Sequence, residues 1–111
     1  MKRERVVLPQ TADACRVLGR EIAIARRARR VSAAELAERV GVSLVTLRRT
    51  ERGDPTVAIG TVFEAAAMVG LDLFGSSETV LSTLARSQED RLALLPSRVR
   101  ARQEVRISSD F

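Results

Sequence analysis

The side chains with most chemistry to offer in this sequence are arginines. Arg26, Arg27, Arg29 and Arg30 crowd one stretch, and Arg48, Arg49 and Arg52 crowd another. A guanidinium is permanently charged and carries its donors in a rigid fork, so it holds phosphates and carboxylates and can pair bidentately with a guanine edge. It is a poor proton-transfer group. Two side chains that most often carry acid-base and nucleophilic chemistry are missing or nearly so: the sequence has no His and one cysteine, Cys15. Imidazole general-base chemistry is therefore absent, and a zinc site would have to be assembled from one thiol and carboxylates. The chain is expected to bind rather than catalyse, without cofactor or metal.

Charge distribution sharpens the point. Over 111 residues, 19 basic and 14 acidic side chains leave a net charge of +5. Met1 to Gly53 holds 13 basic and 6 acidic residues (+7), Asp54 to Pro96 holds 2 and 6 (−4), and Ser97 to Phe111 holds 4 and 2 (+2). The positive field sits in the first half and points to a polyanionic partner. A single cysteine cannot form an intramolecular disulfide, which fits a reducing compartment, and Cys15 reads as a small apolar filler. No apolar run approaches the roughly 20 residues that span a bilayer, and the N-terminus lacks a signal-type segment. The expectation is a cytoplasmic protein with no membrane partner.

The elements that must position these arginines are helical. Aromatic residues make up 3% of the chain, so Leu, Val, Ile and Ala must build the core, and this alphabet favours packed helices over sheets. The length suits one domain with tails: an N-terminal arm over 1–10, a helical domain over 11–95 with dimerising C-terminal helices, and a tail over 96–111. In the arm, Val6-Val7-Leu8 ends at Pro9 and reads as an edge strand or as disordered chain. Thr11 caps a helix running to about Arg30, with Leu18, Ile22 and Ala25 as its apolar stripe. The arginines at its C-terminal end either complement the helix dipole or contact phosphate.

Ser32 followed by Glu35 has capping-box spacing, so a helix begins at Ala33; Leu36, Ala37 and Val40 form its inner face and Gly41 stops it. Ser43 starts the next helix, with Leu47 inward, and Gly53-Asp54-Pro55 breaks it. Thr56 or its neighbour caps a fourth helix over about Val57 to Val69, with Ile59, Val62, Phe63, Ala66, Ala67 and Val69 as core candidates. Gly70 ends it. A fifth helix follows from Glu78 to Arg86 carrying Val80, Leu81 and Leu84, and then a short sixth segment from Glu89 to Leu95. Beyond Pro96, Val99, Val105 and Ile107 could form a strand if a partner supplied the other edge.

Two short helices joined through one glycine, with small Ala37 facing the turn, meet the geometric requirement of a helix-turn-helix. Leu36, Val40, Val42 and Leu47 face in, and Ser43, Leu44, Val45, Arg48, Arg49 and Arg52 are left to face out. Leu36-Ala37-Glu38-Arg39-Val40-Gly41-Val42-Ser43 and the later Glu51-Arg52-Gly53 resemble the Cro/C1 (XRE) family of regulators, over about Leu18 to Leu73. The resemblance implies an all-α, five-helix, lambda-repressor-like bundle that works as a homodimer on a palindromic DNA operator. It places Ser43, Leu44, Val45 and Arg48 near base edges, and Thr46, Arg49 and Arg52 nearer the DNA backbone. Arg48 is the first candidate for base readout, with Leu44 and Val45 toward thymine methyls. Glu51 is expected to orient an arginine or cap locally.

The sequence departs from the family pattern at two positions. Ala33 stands where the family usually carries a Gln that braces the reading helix on a phosphate, and Thr50 stands where a large apolar residue usually enters the core. A narrower resemblance joins Glu51-Arg52-Gly53-Asp54-Pro55-Thr56-Val57 and the tail Leu95-Pro96-Ser97-Arg98-Val99-Arg100, with its final Ser-Asp-Phe, to HipB-type antitoxin repressors. It implies a HipA-like kinase toxin as partner and autoregulation of a shared operon. A free-standing XRE-type regulator remains open, as does a protein-interaction module that has lost DNA binding, the reading that Ala33 and Thr50 favour.

Overall fold

A computed structural model describes residues 6–99. It contains five helices: α1 (Pro9–Ala28), α2 (Ala33–Val40), α3 (Leu44–Arg52), α4 (Ile59–Met68) and α5 (Glu78–Ala93). Among the described residues there is no strand, only an isolated bridge between Leu73 and Ser76, so the protein is all-α as expected. No described helix is long and apolar enough to cross a membrane. The chain forms two compact units, the first running through Ser77 with α1 to α4, the second beginning at Glu78 with α5.

Helix boundaries follow local chemistry, with three departures from expectation. First, α1 starts at Pro9 rather than after Thr11, because proline at the first helical position has its φ already set and lacks only an N–H that would be unsatisfied there. The run Val6 to Leu8 is not a strand, and Leu8 instead supplies the carbonyl that accepts from the Ala12 amide at 3.0 Å. Second, α4 starts at Ile59, not Val57, because Thr56 is engaged by Asp54 in the preceding turn and does not cap it. Ile59 is then 70% exposed, Ala67 is exposed, and Ala65 takes the buried place instead. Third, the expected fifth and sixth segments are one helix, since Ser87 and Gln88 carry no breaker between Arg86 and Glu89. No residue of α5 is buried, so Val80, Leu81 and Leu84 are not core residues. Val105 and Ile107 of the expected tail strand lie outside the described residues.

The core of the first unit is Ile22 from α1, Leu36 and Ala37 from α2, Leu47 from α3, and Ala65, Ala66 and Val69 around α4. Leu18, Ala25, Val40, Val42 and Val62 pack against it, and Phe63 meets Phe74 edge to face with ring centroids 5.8 Å apart. Small residues let the helices close on one another. A Cβ added at Gly19 of α1 would lie 2.5 Å from the Thr50 carbonyl oxygen and 2.8 Å from that of Glu51, so α1 and α3 touch backbone to side-chain-free backbone. Gly41 is different: its φ of +87° is left-handed, and nothing lies within 4 Å of its would-be Cβ.

These two glycines should respond differently to the same replacement. Gly19→Ala forces two backbones apart and should lower unfolding stability by about 3 kcal/mol or more, the upper end for overpacking. Gly41→Ala meets only the left-handed strain, about 1 to 2 kcal/mol. Urea unfolding of both variants checks the order, and a Gly41→Ala variant less stable than Gly19→Ala would contradict it.

Candidate nucleic-acid interface

The α2-turn-α3 unit is held from both ends by short-range hydrogen bonds. The Glu35 amide donates to Ser32 Oγ at 3.0 Å while the Ser32 amide donates to Glu35 Oε1 at 2.9 Å, a complete capping box. The Ser32 amide, followed by its hydroxyl, holds the Glu35 carboxyl below the ordinary carboxylate range. At the turn, the Gly41 and Val42 amides both donate to the Ala37 carbonyl, at 2.9 and 3.0 Å. Ser43 then caps α3, accepting from the Thr46 amide at 3.1 Å and donating to Thr46 Oγ1 at 3.1 Å. Ser43 and Thr46 thus have a structural task at the entry of α3.

Three side chains of α3 anchor it. Leu47 is fully buried. Thr50 is also buried, and its hydroxyl donates to the Thr46 carbonyl at 2.9 Å, one turn back, so a polar side chain enters the core with its hydrogen bond already made. Glu51 turns toward α1. Its carboxylate accepts from Arg26 Nε at 2.7 Å and Arg26 Nη2 at 3.0 Å, a bidentate pair in which Arg26 is 8% exposed. Arg26 Nη1 donates to the Val31 carbonyl at 3.0 Å, and the Glu51 hydrogen bond raises the Arg26 pKa above its ordinary value. Arg29 donates to the Val69 carbonyl. The arginine cluster at the end of α1 therefore divides, with Arg26 and Arg29 serving the fold.

The outward face of α3 carries Leu44, Val45, Arg48 and Arg52, all exposed. Their spacings of one, three and four residues place them on one side of the helix. Arg49 behaves otherwise. It is half-buried, with Nε donating to Asp54 Oδ2 at 3.0 Å and Nη2 to Thr56 Oγ1 at 2.7 Å. Asp54 also accepts from the Thr56 hydroxyl at 2.7 Å and its amide at 2.8 Å. These donors, the Thr56 hydroxyl foremost, bring the Asp54 pKa down to about 2. Arg49 thus fastens the α3–α4 turn as well as bordering the outward face.

Beside that face, α1 and α3 enclose an open groove of about 450 Å³, walled by Arg20 and Arg27 of α1 and by Arg48 and Arg52 of α3. Ion pairs among the described residues involve Arg16, Arg26 and Arg49, and none of the four groove arginines. Sequence reasoning did not join Arg20 or Arg27 to α3. Their seven-residue spacing marks a shared face of α1, but no local signal says which helix lies against it.

A family model described as a helix-turn-helix domain matches residues 17–73. This chain belongs to that family. The matched region of the helix-turn-helix domain starts inside α1 and contains the whole of α2, α3 and α4. No curated protein and no solved structure matches the chain.

Two measurements check the electrostatics of this domain. Arg26→Ala leaves Glu51 without its partner in a site with little water and should cost about 3 to 5 kcal/mol, whereas the joint replacement Arg26→Met, Glu51→Leu should come close to neutral. Urea midpoints that rank the double variant below the single one would refute this. For Asp54, a depressed folded-state pKa means that the unfolded chain takes up a proton first as pH falls. Its stabilisation should be complete above about pH 5 and should fade between the ordinary 3.8 and about 2. Thermal unfolding of the wild type and Asp54→Asn should therefore converge on acidification, and a constant gap from pH 7 to pH 2 would count against it.

Proposed function

We propose that this chain is a sequence-specific DNA-binding transcriptional repressor that reads DNA with α3 in the major groove. The observation that carries the reading is the sorting of charge on that helix. Its one acid, Glu51, is turned inward and neutralised by Arg26, while Arg48 and Arg52 stand outward and outside every ion pair among the described residues. An outward face with two unpaired guanidiniums and two apolar side chains suits a groove that offers guanine O6 and N7, thymine methyls and flanking phosphates. In this reading Arg48 pairs with guanine, Leu44 and Val45 meet methyl groups, and Ser43 lies at the tip nearest the base edges. Thr46, Arg49 and Arg52 lie closer to the DNA backbone. No catalytic step, cofactor or metal is involved.

The finer reading is a homodimer on a palindromic operator, acting as the autoregulating antitoxin of a HipA-like kinase toxin in the cytoplasm. The resemblance of Glu51 to Val57, and of the tail from Leu95 with its terminal Ser-Asp-Phe, to HipB-type repressors supports it. Thr50 argues against the interaction-module alternative, because its satisfied hydroxyl leaves the reading helix anchored.

Gel shifts on the DNA upstream of the chain's own gene test the reading. Arg48→Ala should lose about 1 to 3 kcal/mol of discrimination at one base pair, and unchanged binding by Arg48→Ala, Arg52→Ala would exclude α3 as the contact surface. Footprinting should show two half-sites about 34 to 36 Å apart, one helical turn, and protection of a lone half-site would remove the dimer. Co-purification from the native operon should bring down a kinase-like protein; its absence, with no such neighbouring gene, would remove the antitoxin role.

A further inference from the structure

The groove between α1 and α3 gathers four guanidiniums with no acid to balance them. Glu51 also lines it, but both its oxygens are taken by Arg26, so Arg20, Arg27, Arg48 and Arg52 leave the groove strongly positive. All four are exposed, and like charges held side by side repel one another unless an anion lies between them. The shape of the charge says which kind of anion. Arg20 and Arg27 are two helical turns apart, about 10 Å along α1, and Arg48 and Arg52 are one turn apart, about 6 Å along α3. Such an elongated array exceeds a single phosphate and suits a run of them, since one DNA strand advances about 3.4 Å per phosphate along its axis.

We infer that this groove is a phosphate-backbone clamp, in which Arg20 and Arg27 of α1 grip the strand flanking the major groove that α3 occupies. The inference rests on α3 reading DNA, and extends the contact surface to a helix outside the two-helix reading unit. Arg48 and Arg52 are the link, because they belong at once to the outward face of α3 and to the groove wall. A strand that leaves that face on its α1 side crosses the groove. An isolated small anion fits less well, because the groove is open and none of its four arginine side chains is buried. Ala23 and Ile24 add two uncharged side chains to its wall, against four arginines, so an approaching partner meets chiefly guanidiniums.

The test is the salt dependence of binding by the full chain to a 30-base-pair mixed-sequence duplex and to the duplex from its own upstream region. Arg20→Ala, Arg27→Ala should weaken both equally, on the order of 30-fold near 0.15 M salt, and flatten the slope of log affinity against log salt by about 1.8. Arg20→Lys, Arg27→Lys should keep most of the slope. Neither exposed arginine has an ion-pair partner among the described residues, so the unfolding midpoint of each variant should match the wild type. An unchanged slope for the alanine variant, with Arg48→Ala, Arg52→Ala still impaired, would overturn the clamp and leave the reading helix standing. An unchanged slope with loss of binding to poly-L-glutamate would assign the groove to an acidic protein and overturn it also. Wild-type protein that binds neither duplex at 50 mM salt would remove both proposals together.

Discussion

The arrangement depends first on the buried pair between Arg26 and Glu51. Taking two charges out of water costs several kcal/mol each, and the cost is met only when the geometry is close and the remaining donors find partners. Here two hydrogen bonds join the guanidinium to the carboxylate, and a third runs from Arg26 to the Val31 carbonyl. One side chain therefore fixes the end of α1, the link into α2 and the rotation of α3 about its own axis. That rotation decides which α3 side chains face solvent, and it withdraws the helix's one carboxylate from the side where Arg48 and Arg52 stand.

Backbone contacts complete what the ion pair begins. Gly19 lets α1 settle on the carbonyls of Thr50 and Glu51, so Glu51 meets α1 twice, by its backbone at Gly19 and by its carboxylate at Arg26 two turns further along. Thr50 adds to this economy. A larger apolar residue would fill more volume, but the threonine hydroxyl closes on its own helix at Thr46 and leaves no unpaired polar atom. At the far end of α3, Arg49, Asp54 and Thr56 tie the helix to the turn that follows, so α3 is constrained along its whole length.

What could be read from the sequence was what local chemistry decides. Ser32 with Glu35, Gly41, Ser43 and Gly53 each act within a few residues of themselves, and each does in the structure what its spacing indicates. The all-α class followed from composition in the same way. Misreadings arose where a residue had a second, competing use. Pro9 ends a short run that reads as an edge strand or as disordered chain, and in the structure it opens a helix; Thr56 or its neighbour is expected to cap α4, and in the structure Asp54 and Arg49 claim the Thr56 hydroxyl. The role of Arg26 among its three neighbouring arginines could not be resolved, because its partner lies 25 residues away and only the packing of α1 on α3 brings them together. The groove arginines of α1 were hidden for the same reason.

Gly41 has a consequence for how this turn can vary over evolutionary time. With open space around it and a φ of +87°, the position demands handedness and not smallness. Asparagine and aspartate visit the left-handed region far more readily than other side chains. Gly53 has a similar φ, +82°, but a Cβ there would fall 2.6 Å from the Arg16 Cα, so size excludes every other residue. Lineages descending from this chain should therefore drift at 41 among a few polar residues while 53 stays invariant, so the turn between the two short helices is the more permissive of the two hinges that bound α3.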